Sequence, residues 1–262
     1  MKKKGFTLIE LLVVIAIIGL LLAIITPALK RAKEYGKRII CQNNLKSFTM
    51  ANVMYANQYD GAYVPIAFDK NPDASVEDIV HWIRNDAYRA LLDFEAYGNT
   101  AAYDMPDDLL CPADRISKDP TLAGAGGVLT SYAYNVTDWG DWYDSLGNPA
   151  KRKYIGHKVA DMTAPANRLA FIDAIDWWLH WNHANYEESW DRLGQASIDD
   201  YLEIGVYSPV MYRHSEGANI GFYDGHVEYK IKENIFVKED WEATPQRPGM
   251  WVADITLFYK NN

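Results

Sequence analysis

Hydrophobic and polar positions follow three patterns along the chain. From Leu11 to Leu29 no residue is charged, and the stretch from Leu11 to Ile25 is almost wholly apolar. Extended back to Phe6, this run is long enough to cross a bilayer as a helix. Over residues 28–59 the pattern becomes a stripe, with Leu45, Phe48, Ala51 and Tyr55 at three- and four-residue spacing and no Gly or Pro across residues 37–60. Asp60-Gly61 then ends the helix, with Gly61 placed as its cap. Phe6 to Tyr59 predicts one helix of about 80 Å at 1.5 Å per residue. Its second half should carry one face buried under a sheet.

The third pattern is alternation near the C-terminus. Residues 219–223 and 226–231 flank Asp224-Gly225, which predicts a two-residue hairpin with positive φ at both turn positions. In that register Phe222 faces Val227 and Ile220 faces Tyr229. Ile220, Phe222, Val227, Tyr229 and Ile231 would then share the face that covers the long helix. Between these ends, Ser75–Glu95 reads as a second helix, capped by Ser75, with Ile79, Trp82, Ile83, Tyr88, Leu91 and Leu92 as its apolar face. Short strands are predicted at Ser131–Val136 and Arg168–Ile175, and Gly124–Gly127 is a loop. No internal repeat stands out.

Composition narrows the function classes. The 262 residues suit one membrane segment plus one globular domain with a long insertion. The net charge of −9, with no long basic block outside residues 30–38, argues against nucleic acid as a partner. Most of the 9 Trp and 18 Tyr follow residue 50, as core and interface packing or as a sugar- or surface-binding face. No nucleophile elbow, P-loop or dinucleotide fingerprint is present.

The N-terminal run fits a cleaved secretory signal poorly. It is too long, and it leads into Thr26-Pro27-Ala28-Leu29-Lys30 without a small-residue cleavage site. A plain membrane anchor has no use for Glu10, an acid inside the apolar block that costs on the order of 2–3 kcal/mol at membrane depth. Glu10 makes sense if a positive charge meets it. A new α-amino group on Phe6, made by cutting after Gly5, would supply one from a neighbouring chain, and such a buried pair adds register more reliably than stability.

At this point Gly5-Phe6-Thr7-Leu8-Ile9-Glu10-Leu11 resembles the cleavage and methylation signature of type IV prepilins and type II secretion pseudopilins. The segment from His214 to Asp224-Gly225 resembles the H-X9-DG segment at the end of large prepilin-like proteins. Cys41-Gln42-Asn43-Asn44-Leu45-Lys46, Asn57-Gln58-Tyr59-Asp60-Gly61 and Cys111-Pro112 look like further segments of that group. Residues 138–210 match no recognised segment.

The resemblance implies an α+β pilin-like fold: a long N-terminal helix on a small antiparallel sheet. It divides the chain into a leader (1–5), a transmembrane and filament-core helix (6–29) and a periplasmic or extracellular head (30–262). The head would hold a variable insertion at 66–210 and the hairpin segment at 211–231. It implies cleavage between Gly5 and Phe6 and N-methylation of Phe6. Glu10 and Phe6 would serve subunit assembly, with Pro27 where the helix bends or loosens. The partners implied are membrane lipid before assembly, a prepilin peptidase, other pilin-like subunits, and an inner-membrane platform protein with its ATPase. Lys2, Lys3 and Lys4 are balanced by Lys30, Arg31, Lys33, Lys37 and Arg38, so charge alone does not orient the helix, and the resemblance places the head outside the cytoplasm. Export in turn makes Cys41 and Cys111, the only cysteines, a pair expected to be joined.

Two alternatives stay open: a membrane-anchored carbohydrate- or surface-binding module, and an anchored metalloenzyme. The metal candidates are His214 and Asp224, where the resemblance allows calcium, and the cluster Asp173, Asp176, His180 and His183 among Trp177, Trp178 and Trp181. His180 and His183 form H-x-x-H, not the H-E-x-x-H of a zinc protease. Two thiols cannot make a tetrahedral zinc site alone. Asp138, Asp141 and Asp144 lack the EF-hand spacing and read as a solvated loop.

Overall fold

The computed structural model describes residues 7–65, 67–69, 79–94, 105–106, 108–114, 130–135, 139–140, 158–162, 164–174, 178–179, 210–231, 236–239, 250–251 and 255–258. Helix α1 runs unbroken over Leu8–Gln58. It is followed by β1 (Ala67–Asp69), β2 (Ile79–His81), the short helix α2 (Asp86–Leu91), β3 (Tyr132–Asn135), β4 (Trp139–Gly140), β5 (Leu169–Asp173) and β6 (Trp178–Leu179). Then come β7 (Gly217–Phe222), β8 (Val227–Ile231), β9 (Phe236–Glu239), β10 (Met250–Trp251) and β11 (Ile255–Phe258). The central sheet has the order β6-β3-β5-β7-β8, antiparallel except for the edge strand β6 beside β3. This is the expected α+β pilin-like arrangement. Two central strands, β3 and β5, come from the stretch expected to be insertion.

The stripe on the second half of α1 makes the core. Cys41, Asn44, Leu45, Phe48, Thr49, Ala51, Asn52, Tyr55 and Ala56 are buried, at the helical spacing that brings them to one face. Phe48 lies at the centre, with ring centroids of Trp82, Tyr132 and Phe171 at 5.8, 5.4 and 5.9 Å. Two buried polar side chains of this core, one on α1 and one on α2, are satisfied. The Asn52 amide donates to Tyr134 Oη at 3.2 Å and its oxygen accepts from Val64 N at 2.9 Å. The Tyr88 hydroxyl donates to Phe48 O at 2.7 Å. A buried polar group left unpaired would cost about 1–3 kcal/mol.

Three local expectations are corrected. Of the helix expected over Ser75–Glu95, the described residues show helix only at Asp86–Leu91. Residues 79–81 are strand and Trp82–Arg84 is a 3-10 turn. Asn85 accepts from the N–H groups of Ala87 and Tyr88 and so starts the helix late. At the end of α1 the left-handed position falls on Asp60 (φ 50) as well as Gly61 (φ 74), and Gly61 N closes onto Ala56 O at 2.9 Å.

The third correction concerns the hairpin. Phe222 N donates to His226 O and Gly225 N to Phe222 O, both at 2.9 Å, so three residues, Tyr223-Asp224-Gly225, make the connection. Gly225 alone of the expected turn pair has positive φ (93). One residue more in the loop slips the register by one. Ile220 pairs with Glu228, and Gly221 with Val227. A slip of one reverses a strand's faces. Gly217, Asn219 and Gly221 therefore share the α1 side with Val227, Tyr229 and Ile231, while Ile220 and Phe222 are buried on the other. The slip brings β7 against the helix. A Cβ on Gly221 would lie 2.4 Å from Thr49 Cγ2, closer than atoms can pack. The primed two-residue turn occurs instead at Ser215-Glu216 (φ 51 and 60), between His214 and Gly217.

Candidate functional site

Two places carry the candidate functional residues: the first half of α1, and a clasp where α1 enters the head. Gly5 and Phe6 lie outside the described residues. Thr7 and Glu10 form a reciprocal N-terminal cap. Glu10 Oε2 accepts from Thr7 N and Oγ1 at 2.8 and 2.9 Å, and Thr7 Oγ1 accepts from Glu10 N at 3.3 Å. Within one chain Glu10 therefore has a second use that sequence reasoning missed, although Thr-x-x-Glu before an apolar run is its signature. From Leu8 to Leu29 every residue is exposed. Pro27 sits inside the unbroken helix, one residue after Thr26, whose hydroxyl donates to Leu22 O at 2.7 Å. The helix is long and apolar enough to cross a membrane.

The clasp is built from the segments that stood out in the sequence. Cys41 of α1 is joined to Cys111 by a disulfide, with Cα atoms 5.2 Å apart. Three residues on, Asn44 donates to Leu109 O at 2.9 Å and to Asp108 O at 3.3 Å. Lys46 Nζ and Thr49 Oγ1 both donate to Gly225 O, at 2.6 and 3.2 Å. Strand β7 is thus tied to α1 at both ends, directly by the hairpin turn and, through Cys111 and its disulfide, by His214. His214 Nε2 lies 3.3 Å from Cys111 Sγ and 3.7 Å from Asp173 Oδ2. Its backbone carbonyl accepts from Tyr229 Oη at 2.7 Å. Asp173 Oδ2 accepts from Asn219 N and Nδ2 at 2.7 and 3.0 Å. A second layer supports Cys111. Its N–H donates to Ser131 Oγ at 3.0 Å, Ser131 donates to Asp114 at 2.7 Å, and Arg213 pairs with Asp114 at 3.2 Å.

Burial sets the protonation of the pair. It pushes Asp173 up to about 7 against the opposing pull of Arg213 and the Asn219 hydrogen bonds. It holds His214 down at about 4, helped by the positive charges of Arg213 and Arg38. His214 is therefore neutral at pH 7.

Of the metal candidates, the structure brings His214 and Asp173 together and leaves Asp224 apart. Asp224 Oδ1 accepts from His226 N at 3.0 Å and faces His226 Nδ1 at 2.5 Å, on the hairpin tip. Asp176, His180 and His183, with Asp138, Asp141 and Asp144, lie outside the described residues, as do Trp177 and Trp181. Trp178 is placed only as part of β6. Sequence reasoning missed Asn44, Lys46, Thr49, Arg213 and Asp114. The first three lie within or next to Cys41–Lys46, and a polar Asn between the apolar positions 41, 45 and 48 was the available signal.

A long helix with a bare apolar first half, packed through its second half on an antiparallel sheet, defines a pilin-like protein. The family described as the prokaryotic N-terminal methylation motif matches residues 1–26. The chain is 27% identical over 147 residues to a Pseudomonas aeruginosa protein described as type II secretion system core protein G. That match covers 54% of this chain and 96% of the relative. No solved structure matches the chain. The motif and the relative agree with the fold, which is pilin-like and carries the prepilin-type motif at its N-terminus.

Proposed function

We propose that the chain is a structural subunit of a type IV pilus-like or type II secretion pseudopilus filament, cut after Gly5 and N-methylated at Phe6. The observation that carries this is the pairing of the methylation motif over residues 1–26 with a helix whose apolar residues from Leu8 to Leu29 are all exposed. A surface of that size on a water-facing monomer is an interaction site. Lipid covers it first and the same segment of other subunits covers it later. The head stays outside the cytoplasm, and a structural role in place of a catalytic one belongs to the same reading. It is supported by the relative from the type II secretion system.

Phe6 and Glu10 give the assembly step. Once Phe6 is the N-terminus, its amine reaches the Glu10 carboxylate of a neighbouring subunit. Glu10 also caps its own helix, so substitution by Val removes both roles. Glu10→Gln separates them, because Gln serves the cap equally well but carries no charge. The test is an N-terminal mass determination with a count of sheared filaments. Wild type should begin at methylated Phe6, Gly5→Val should retain Met1 and stay in the membrane, and Glu10→Gln should be cut normally yet yield few filaments. Normal filament yield from Glu10→Gln removes the charge pairing. A mature wild-type chain that still begins at Met1 removes the filament reading.

A further inference from the structure

Cys41, Cys111, Asp173 and His214 are all buried, and one donor atom from each lies within 4.8 Å of the other three. They come from α1, the 108–114 segment, β5 and the lead-in to β7, so the fold, not local sequence, gathers them. Three features separate this cluster from an ordinary buried disulfide with polar neighbours. Cys111 Sγ and Asp173 Oδ2 approach the same ring nitrogen, His214 Nε2, at 3.3 and 3.7 Å. In a Cys-His-Asp relay the acid would hold the opposite nitrogen, so these atoms converge on a point and do not line up for proton transfer. Second, Asp173 Oδ2 is held by Asn219 N and Nδ2, the kind of outer contact that orients a ligating carboxylate. Third, His214 Nδ1 and Asp173 Oδ1 are buried without a hydrogen-bond partner, so it is Nε2 and Oδ2 that face the cluster.

We propose that in its dithiol state the chain binds one thiophilic divalent cation of the zinc type through Cys41 Sγ, Cys111 Sγ, His214 Nε2 and Asp173 Oδ2. Disulfide and metal are then mutually exclusive ways of joining α1 to the head at the same buried point. A tetrahedral zinc ion spaces such donors about 3.3–3.8 Å apart, so once the bond between Cys41 and Cys111 is reduced the two sulfurs must part to that spacing, while the wider pairs of the cluster close by roughly 1 Å. Two sulfurs and an imidazole select zinc or cobalt over calcium or magnesium, which take oxygen ligands. The balance is simple. A phosphine reduces the cystine, two electrons and two protons go to the sulfurs, and the phosphine leaves as its oxide with oxygen from water. Metal binding then breaks two S–H bonds, forms two S–metal bonds and releases the protons to solvent. A chain that reaches the membrane still reduced would thus be held in the same fold that oxidation later locks.

The experiment uses the full chain in detergent, reduced anaerobically with a phosphine and titrated with cobalt(II). One cobalt per chain is expected, with thiolate-to-cobalt charge-transfer absorption and tetrahedral visible bands. One equivalent of zinc should bleach both. The disulfide form should give neither signal. His214→Gln and Asp173→Asn should each weaken cobalt binding roughly tenfold or more. Their folding is read beforehand from the near-UV dichroism of the disulfide form. X-ray absorption of the wild-type zinc form should count two sulfur and two nitrogen or oxygen neighbours, which decides the matter even if a variant fails to fold. Less than one cobalt per chain overturns the proposal, as does a spectrum without the charge-transfer band. Unchanged affinity in His214→Gln, or a reduced chain that loses its dichroism despite zinc, overturns it equally.

Discussion

The two halves of α1 have similar secondary structure and opposite surroundings. From Leu8 to Leu29 the residues, Glu10 and Thr26 apart, are apolar all round and exposed, with Leu8 at 81% and Ile18 at 50%. From Cys41 to Ala56 a single stripe is apolar and buried, and it includes polar Asn44, Thr49 and Asn52, each paired. The second half finds its partners within the chain and so carries a helical period, with polar groups placed for specific neighbours. The first half has none among the described residues. An all-round apolar surface suits lipid, and later several identical helices, better than one fixed neighbour.

Substitution sharpens the contrast most at the centre of the core. Phe48→Ala should cost the head about 3–5 kcal/mol in denaturant unfolding, because it empties the space among Trp82, Tyr132 and Phe171. Ile18→Ala, on the bare half, should leave head stability unchanged. Equal losses from both would mean that the bare half of α1 supports the head as much as the buried half does. Next is the disulfide. Cys41→Ser opens a loop of 70 residues and should cost about 4 kcal/mol by chain entropy. A smaller cost belongs to Gly221→Ala, which forces a methyl against Thr49 and should destabilise by about 1–3 kcal/mol, partly relieved in combination with Thr49→Ser. Full additivity of those two changes would mean that β7 does not press on α1 there.

The smallest effect is a pH slope. Burial, with Arg84 beside it, lowers His81 from 6.5 to about 4. The unfolded chain then binds more protons than the folded one between these values, so head stability should fall as pH drops from 6.5 to 4. Thermal melts of wild type and His81→Gln across that window should diverge, with the variant flatter.

The helix and its change of character were legible in the sequence, because a continuous apolar run and a 3.6-residue stripe differ within a few turns. The hairpin was legible in place but not in register. Asp-Gly marks a turn, but whether two or three residues form it depends on how closely β7 can approach Thr49, a tertiary matter that also decided which faces Ile220 and Phe222 took. The second helix was overread because Ile79, Trp82 and Ile83 fit a helical face and a short strand equally, and only the Asn85 cap chose. Of the clasp, the Cys41–Cys111 link was legible, because export and two lone cysteines imply it. Nothing local says that Asp173 and His214 meet it.

In the proposed filament the first half of α1 packs against the same segment of other subunits. A photo-crosslinking side chain at position 18, introduced in native cells and activated in the assembled fraction, reads that contact. A ladder of crosslinked pilin-like chains joined through their N-terminal helices is expected. Adducts to lipid alone, with no chain-to-chain ladder from a fraction that contains filaments, would contradict it.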